Sequence, residues 1–424
     1  MKKRRSRRRK ADKQNIYVAD WLKYKPYNKP SSYDEFYTEI ANKVYDILEA
    51  CRNKLEDKIE RKYVLDMSIG IAQYVEDYAS EIGLWKAFTE MNEELYGYML
   101  PFYDLSDYYK DDLNQIDIQF LLWYYWGSIQ KTTYLPYMPQ FEEASQKIFE
   151  LLEQYESFPA INAYETFYKV KQTDNYFDLK TKVAYLANKS FLFSIPANEY
   201  FIDQMEQVSE EMGRYMDSGV IAYYIQERMM FRHRYDLNAV TALEYFARIA
   251  RCDESTRLKI LNIEKRVTGD FVYRKSSGKY HEFEHWITGV KFDVLKESMQ
   301  DIVGQTKNGH VSRMELIFWN KSWWLSGMSI GGRHETDEKP SWQEAEYSFY
   351  ANNEATQKQL LEQSRLTHQA FLETFGSFIY YAVDEQDFLS AYALLQKRAL
   401  IANRVLAKKQ LSDQEIDENV ESIM

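Results

Sequence analysis

GDFVYRKSSGKYHEFEHWITGVKFDV, the stretch Gly269–Val294, decides the fold, because the period of the chain changes there. Phe271 and Tyr273 alternate with Val272 and Arg274, Ser276-Ser277-Gly278 turns, and Tyr280–Ile287 is extended. Thr288-Gly289 turns again, and Val290, Phe292 and Val294 alternate with Lys291 and Asp293. A repeat of two puts every second side chain on one face of a strand, so the spelling predicts an antiparallel meander. Val311–Trp319, with Met314, Leu316 and Phe318 on one face, and Ser322–Ile330 read as two further strands joined by a tight turn at Asn320-Lys321.

Upstream the apolar repeat is that of helices. Residues 16–33 hold Pro26 and Pro30 and read as an extended lead-in. A helix over Tyr33–Leu55 takes Ser32 as N-cap and Glu35 as its capping-box partner. Helices follow at Tyr63–Ile82, at Leu84–Tyr96 with Gly97 as its stop, and at Leu113–Gln130. The last is apolar nearly all round, which places it at the centre of the helical domain. Further helices are expected at Gln140–Tyr155, Asp178–Leu192, Asn198–Met216, Val220–Arg232 and Asn238–Ala250. Beyond the strands come a polar loop, Gly331–Ser341, a helix over Asn353–Phe375, a strand at Ser377–Val383 and a closing helix, Asp384–Leu406.

The expected fold class is therefore α+β. A large helical domain spans residues 16–265, and residues 266–406 form a small antiparallel β-module, drawn as an SH3-like half-barrel, clasped by the C-terminal helices. A disordered basic arm (1–15) and an acidic tail (407–424) flank them.

Composition narrows the class. With 36 Tyr and 9 Trp against 15 Gly and 8 Pro, the chain has few turn residues and many amphipathic aromatics, which disfavours an all-β fold. Cys51 and Cys252 follow no metal spacing and imply no disulfide framework, so a reducing cytoplasm is the expected setting. The longest apolar run, Ile118–Trp126, contains Gln119 and falls short of the roughly 20 residues that span a bilayer, so no membrane association is expected. MKKRRSRRRK, Met1–Lys10, carries eight positive charges and leaves 46 Lys and Arg against 65 Asp and Glu in the rest. Such a run is a solvated tail, a nucleic-acid or ribosome-binding arm, or a self-association element facing an acidic body.

The segments IYVADWLKYKPYNKPSSYDEFYTEIANKVYDIL (Ile16–Leu48) and LDMSIGIAQYVEDYASEIGLWKAFTEMNEELYGYMLPFYDLSDYYKDDLNQIDIQFLLWYYWGSIQ (Leu65–Gln130) resemble a family of uncharacterised Bacteroidetes-type proteins with only a domain-of-unknown-function label. The likeness runs over about Ile16–Leu400 and implies a bacterial, cytoplasmic protein. It implies no reaction, cofactor or catalytic residue, and the basic arm lies outside it.

Two spellings suggest catalysis. His281-Glu282-Phe283-Glu284-His285 satisfies H-E-x-x-H, whose zinc chemistry requires a helix so that both imidazoles reach one metal with the glutamate as base. Gly278 and Thr288-Gly289 flank it, and in a strand His281 and His285 face away from Glu282. Gly327-Met328-Ser329-Ile330-Gly331 matches the G-x-S-x-G elbow of hydrolases, but a polar loop follows where a helix is needed. Asp66, Glu76, Asp77 and Asp117 lack the Glu-x-x-His partners of a di-metal bundle, since the first histidine is His233, and are expected on solvated faces or at helix caps. No metal or cofactor is expected.

What remains is a binding surface on the strands. Arg274, Lys275, Lys279, Lys291 and Lys296 lie near Tyr273, Tyr280, Trp286, Trp319, Trp323 and Trp324, a mixture that small barrels use for single strands or peptides, or that serves as their own core. Arg274, Lys275, Lys279, Tyr280, Trp286, Lys291 and Trp323 are the candidates. The leading expectation is a non-catalytic cytoplasmic interaction protein that contacts a protein or nucleic-acid partner through the β-module or the basic arm. The rival is a metal-dependent or serine hydrolase built on His281/His285 or Ser329.

Overall fold

Two compact units, Met1–Glu264 and Lys265–Met424, make up the chain in the computed structural model. The residues described are 15–52, 59–100, 102–132, 134–212, 218–235, 240–264, 266–299, 307–337, 354–376, 380, 382 and 385–403. The basic run and the acidic tail lie outside them.

The first unit is helical: α1 (Val18–Leu22), α2 (Ser32–Arg52), α3 (Arg61–Ala79), α4 (Leu84–Tyr96), α5 (Gln115–Gln130), α6 (Pro139–Leu152), α7 (Ala163–Phe167), α8 (Tyr176–Lys189), α9 (Ser194–Met212), α10 (Ser218–Phe231), α11 (Ala242–Ile249) and α12 (Glu254–Leu261). As its all-round apolar spelling predicts, α5 is buried on most sides, through Ile118, Phe120, Leu121, Leu122, Tyr125 and Trp126. It crosses α3 at a gap only glycine fits, since a Cβ on Gly70 would sit 2.8 Å from the Tyr125 hydroxyl. That hydroxyl donates to the Phe191 carbonyl at 2.7 Å.

Three expectations change here. The cap of α2 falls on Ser31, whose N–H and Oγ donate to Asp34 at 2.6 and 2.9 Å, instead of on Ser32 with Glu35. The lead-in contains α1, and Trp21 from it is buried against Tyr37 with its indole N–H donating to Asp34. Of the carboxylates expected at the surface, Glu76, Asp77 and Asp117 are buried. Asp77 does act as a cap, for it accepts from the N–H groups of Leu84 and Trp85 at 2.9 Å and serves the start of α4. Burial pushes its carboxyl up to about 6 against those hydrogen bonds. Asp117 accepts from the Tyr74 hydroxyl at 2.5 Å, and Glu76 pairs with Lys25.

The second unit holds β1 (Arg266–Ser277), β2 (Tyr280–His285), β3 (Lys291–Leu295), β4 (His310–Trp319) and β5 (Ser322–His334), then α13 (Glu354–Phe375) and α14 (Glu385–Asn403). The sheet is a closed barrel in the order β1-β2-β3-β5-β4. β1 is long enough to serve two neighbours. Its first half pairs with β4 from Arg266–Ile317 to Val272–Val311, and its second half pairs with β2 from Phe271–His285 to Ser277–Tyr280. A bulge between Tyr273 and Lys275 accompanies the change of neighbour, as sheet closure requires. The last seam is a parallel contact of β3 with β5 at Val294–Trp323. With β3 and β5 paired, the five strands form a closed barrel in place of the half-barrel drawn as SH3-like. Phe271, Tyr273, Phe283, Phe292, Val294, Met314, Leu316 and Leu325 fill the interior.

Gly331–His334, expected in a loop, continues β5. Of the strand expected at 377–383, only Tyr380 and Ala382 are described, and neither is in a strand. α13 and α14 pair with each other, whereas the sheet closes upon its own strands. No helix among the described residues is long and apolar enough to cross a membrane.

Candidate functional site

The histidine motif lies on β2 in the barrel wall. Four residues along a strand span roughly 13 Å, so His281 and His285 cannot share one ion. His285 is 1% exposed, its Nδ1 lies 2.9 Å from Thr288 Oγ1 and accepts from the Thr288 N–H, and its ring stands edge-on to Phe271. Burial holds its pKa below the usual imidazole range, which favours the neutral ring. Gly269 on β1 lacks a Cβ where one would collide with this ring. The His281 ring stands edge-on to Tyr273 and Phe283. Glu282 points the other way and pairs with Lys275 at 3.3 Å and Lys291 at 3.1 Å. Among the described residues no three His, Cys, Asp or Glu side chains converge as metal ligands would. Ser329 sits inside β5 opposite Met314, in a strand that runs on to His334, so no strand-to-helix elbow presents it.

The seven candidate surface residues separate into three groups. Trp286 leaves the surface: it is 4% exposed and packs with Val272 and Val311, because it follows directly on β2 and its N–H is held by the Asp270 carbonyl. Arg274, Lys275 and Lys291 stay outside but are neutralised. Arg274 pairs with Glu284 and Glu335, and the two lysines share Glu282. With Asp293 exposed on β3, the outward face of β2 and β3 offers an anion little.

Lys279, Tyr280 and Trp323 meet at one end of the barrel, where the β1–β2 and β4–β5 turns come together. Tyr280 and Ser322, the first residues of β2 and β5, approach through their hydroxyls at 3.3 Å. The Lys279 ammonium lies 5.2 Å from the Tyr280 ring centre. Trp323 caps the barrel core against Phe292 at 5.0 Å and meets Phe318 edge-on at 5.3 Å, and Phe318 is 49% exposed. Lys296 donates to the Gly278 carbonyl at 2.6 Å, and Lys321 stands exposed in the β4–β5 turn. Among the described residues no carboxylate pairs with Lys279, Lys296 or Lys321, although Asp293 and exposed Glu297 are near in the chain.

Two members of this end escape a reading by pattern. Phe318 shares a face with Met314 and Leu316 and so reads as core, yet β4 outruns the barrel interior by one step. Lys321 reads as an ordinary turn residue, but Asn320 and Lys321 both have positive φ, 48° and 64°. That is the conformation of a two-residue hairpin turn that favours Asn-Gly, so a lysine at the second position is a costly choice.

An α-helical unit and a unit bearing a small closed barrel with aromatic and cationic residues at one end define an α+β protein. A family model described as protein of unknown function (DUF3843) matches residues 15–272, and the chain belongs to that family. Both resembling segments, 16–48 and 65–130, lie inside the match, which ends at Val272 within β1. No curated protein and no solved structure matches the chain.

Proposed function

We propose that the chain is a non-catalytic interaction protein whose barrel captures its partner at the end formed by the β1–β2 and β4–β5 turns. The observation that carries this reading is the contrast between the two ends of one basic surface. Arg274, Lys275 and Lys291 are spent on the protein's own carboxylates, while Lys279, Lys296 and Lys321 lie at the barrel end that bears the half-exposed pair Phe318 and Trp323. Aromatic side chains are enriched at the cores of binding interfaces, and lysines beside them suit an anionic partner. A bacterial cytoplasmic setting is part of the proposal, and a reducing compartment is in keeping with Cys51 and Cys252, neither of which is in a disulfide.

Retention of partners from a native lysate on the full-length protein, with protein and nucleic acid both analysed, tests the proposal. Phe318→Ala and Lys321→Glu are expected to lose the retained partner, and Lys275→Ala and Lys291→Ala to keep it. Equal retention by all four contradicts the reading.

A further inference from the structure

We infer that the ligand of this barrel end is a short single-stranded stretch of nucleic acid, with unpaired bases stacked on Phe318 and Trp323 and adjoining phosphates met by Lys279, Lys296 and Lys321. The inference rests on the reading that this end is the recognition site, and it adds the chemistry of what is recognised.

Four observations carry it. The ring pair is the first. Phe318 is exposed while Trp323 is anchored in the core by Phe292, so one stacking surface is rigid and the other is open to an incoming base. Charge is the second, for the three lysines have no carboxylate partner among the described residues and are free to replace counterions on phosphate. Third, the β4–β5 turn holds Lys321 at φ 64° where glycine would be cheaper, and strain of this kind is kept where the side chain is needed. Fourth, β3 and β5 pair at Val294–Trp323, so the backbone there is already engaged and less open to the strand addition by which many peptides bind.

The same surface sets a limit on length. Glu282, Glu284 and Asp293 line the outward face of β2 and β3, and the basic groups there are already paired, so a strand cannot follow that face favourably. Contact is confined to the barrel end and to a few nucleotides. A duplex keeps its bases stacked on each other and cannot offer them to Phe318.

Binding of a short fluorescent oligothymidylate to the full-length chain tests this, using a background in which the eight Lys and Arg of Met1–Lys10 are changed to Gln. With three phosphate-facing lysines the logarithm of affinity should fall with the logarithm of salt with a slope of about −2. Phe318→Ala should weaken binding at least about fivefold, as loss of one stacked base implies. Lys321→Glu should weaken it as well, Lys275→Ala should leave it unchanged, and a duplex of the same length should compete poorly. Thermal melting of each variant verifies that the fold is kept, and Phe318 and Lys321 are both exposed enough for the barrel to tolerate their loss. Oligothymidylate binding that is absent, or indifferent to Phe318→Ala and Lys321→Glu, overturns the inference. If these substitutions nonetheless abolish retention of a protein from lysate, the ligand class is wrong and the recognition end stands. If they change neither measurement, both are wrong.

Discussion

Tyr280 and Ser322 touch through their hydroxyls at 3.3 Å, and that contact ties the β1–β2 turn to the β4–β5 turn across the parallel seam of the barrel. Each residue opens its strand, so the link sits where the chain leaves each turn. It brings Lys279, on the ring of Tyr280, to the same end as Trp323 and Lys321 on either side of Ser322.

Lys321 is the residue at which stability and recognition are expected to part. A non-glycine residue in the left-handed region costs about 1 kcal/mol, so Lys321→Gly should raise the unfolding free energy of the barrel by about that amount. The same substitution removes one of the three lysines at this end that pair with no carboxylate among the described residues, and should weaken partner binding. Denaturation and binding measured on one preparation would show the opposite signs.

Gly269 and His285 form a second coupled pair, because a methyl group on Gly269 would collide with the imidazole across the β1–β2 ladder. Gly269→Ala should destabilise the barrel by about 1–3 kcal/mol, the usual penalty of overpacking. In a His285→Ala background the methyl has room, so the two changes should be far from additive in a double-mutant cycle.

The lead-in is fastened by one buried charge. Lys25 pairs with Glu76, receives the Trp21 ring 3.5 Å from its ammonium, and donates to Tyr164, whose hydroxyl donates in turn to Glu76 at 3.0 Å. Removing one partner strands the other without solvent, so Lys25→Met should cost about 3–5 kcal/mol. Lys25→Met with Glu76→Leu removes both charges and should recover most of the loss. Urea unfolding of the single and double variants checks both.

Asp117 makes the helical unit sensitive to pH. Burial raises its carboxyl to about 7 against the hydrogen bonds of Tyr74, Tyr108, Asn114 and Trp85. In the unfolded chain an aspartate titrates near 3.9, so between these values the folded state holds more protons. The contribution of this group to stability therefore falls as pH rises from about 4 to about 7. Asp117→Asn carries no such proton, so its stability relative to the parent should increase over that interval, which unfolding midpoints at pH 5 and pH 8 would reveal.

Periodicity made most of the fold legible. The span of α4, Leu84–Tyr96, follows from Gly83 and Gly97, both left-handed in the structure, and the buried α5 follows from the spelling of Ile118–Trp126. The β-meander is written in the alternation of Phe271 to Val294. Barrel closure is not, because it brings β3 to β5, paired at Val294 and Trp323, and these partners are distant in the chain and carry no local mark. Hydrophobicity also misplaced the polar groups. Glu76 and Asp117 look solvated in isolation, and partners such as Lys25 and Tyr74, far away in sequence, explain their burial. The candidate site was half readable. Lysines and aromatics were visible, but their ion pairs, which remove Arg274, Lys275 and Lys291 and leave Lys279, depend on strand register.

Photo-cross-linking of a bromouridine-substituted oligonucleotide to the full-length protein, with the modified peptides mapped by mass spectrometry, tests the central claim most directly. Adducts on Tyr280, Phe318 or Trp323 are the predicted result. Adducts confined to Met1–Lys10 or to the outward face of β2 and β3 would contradict it.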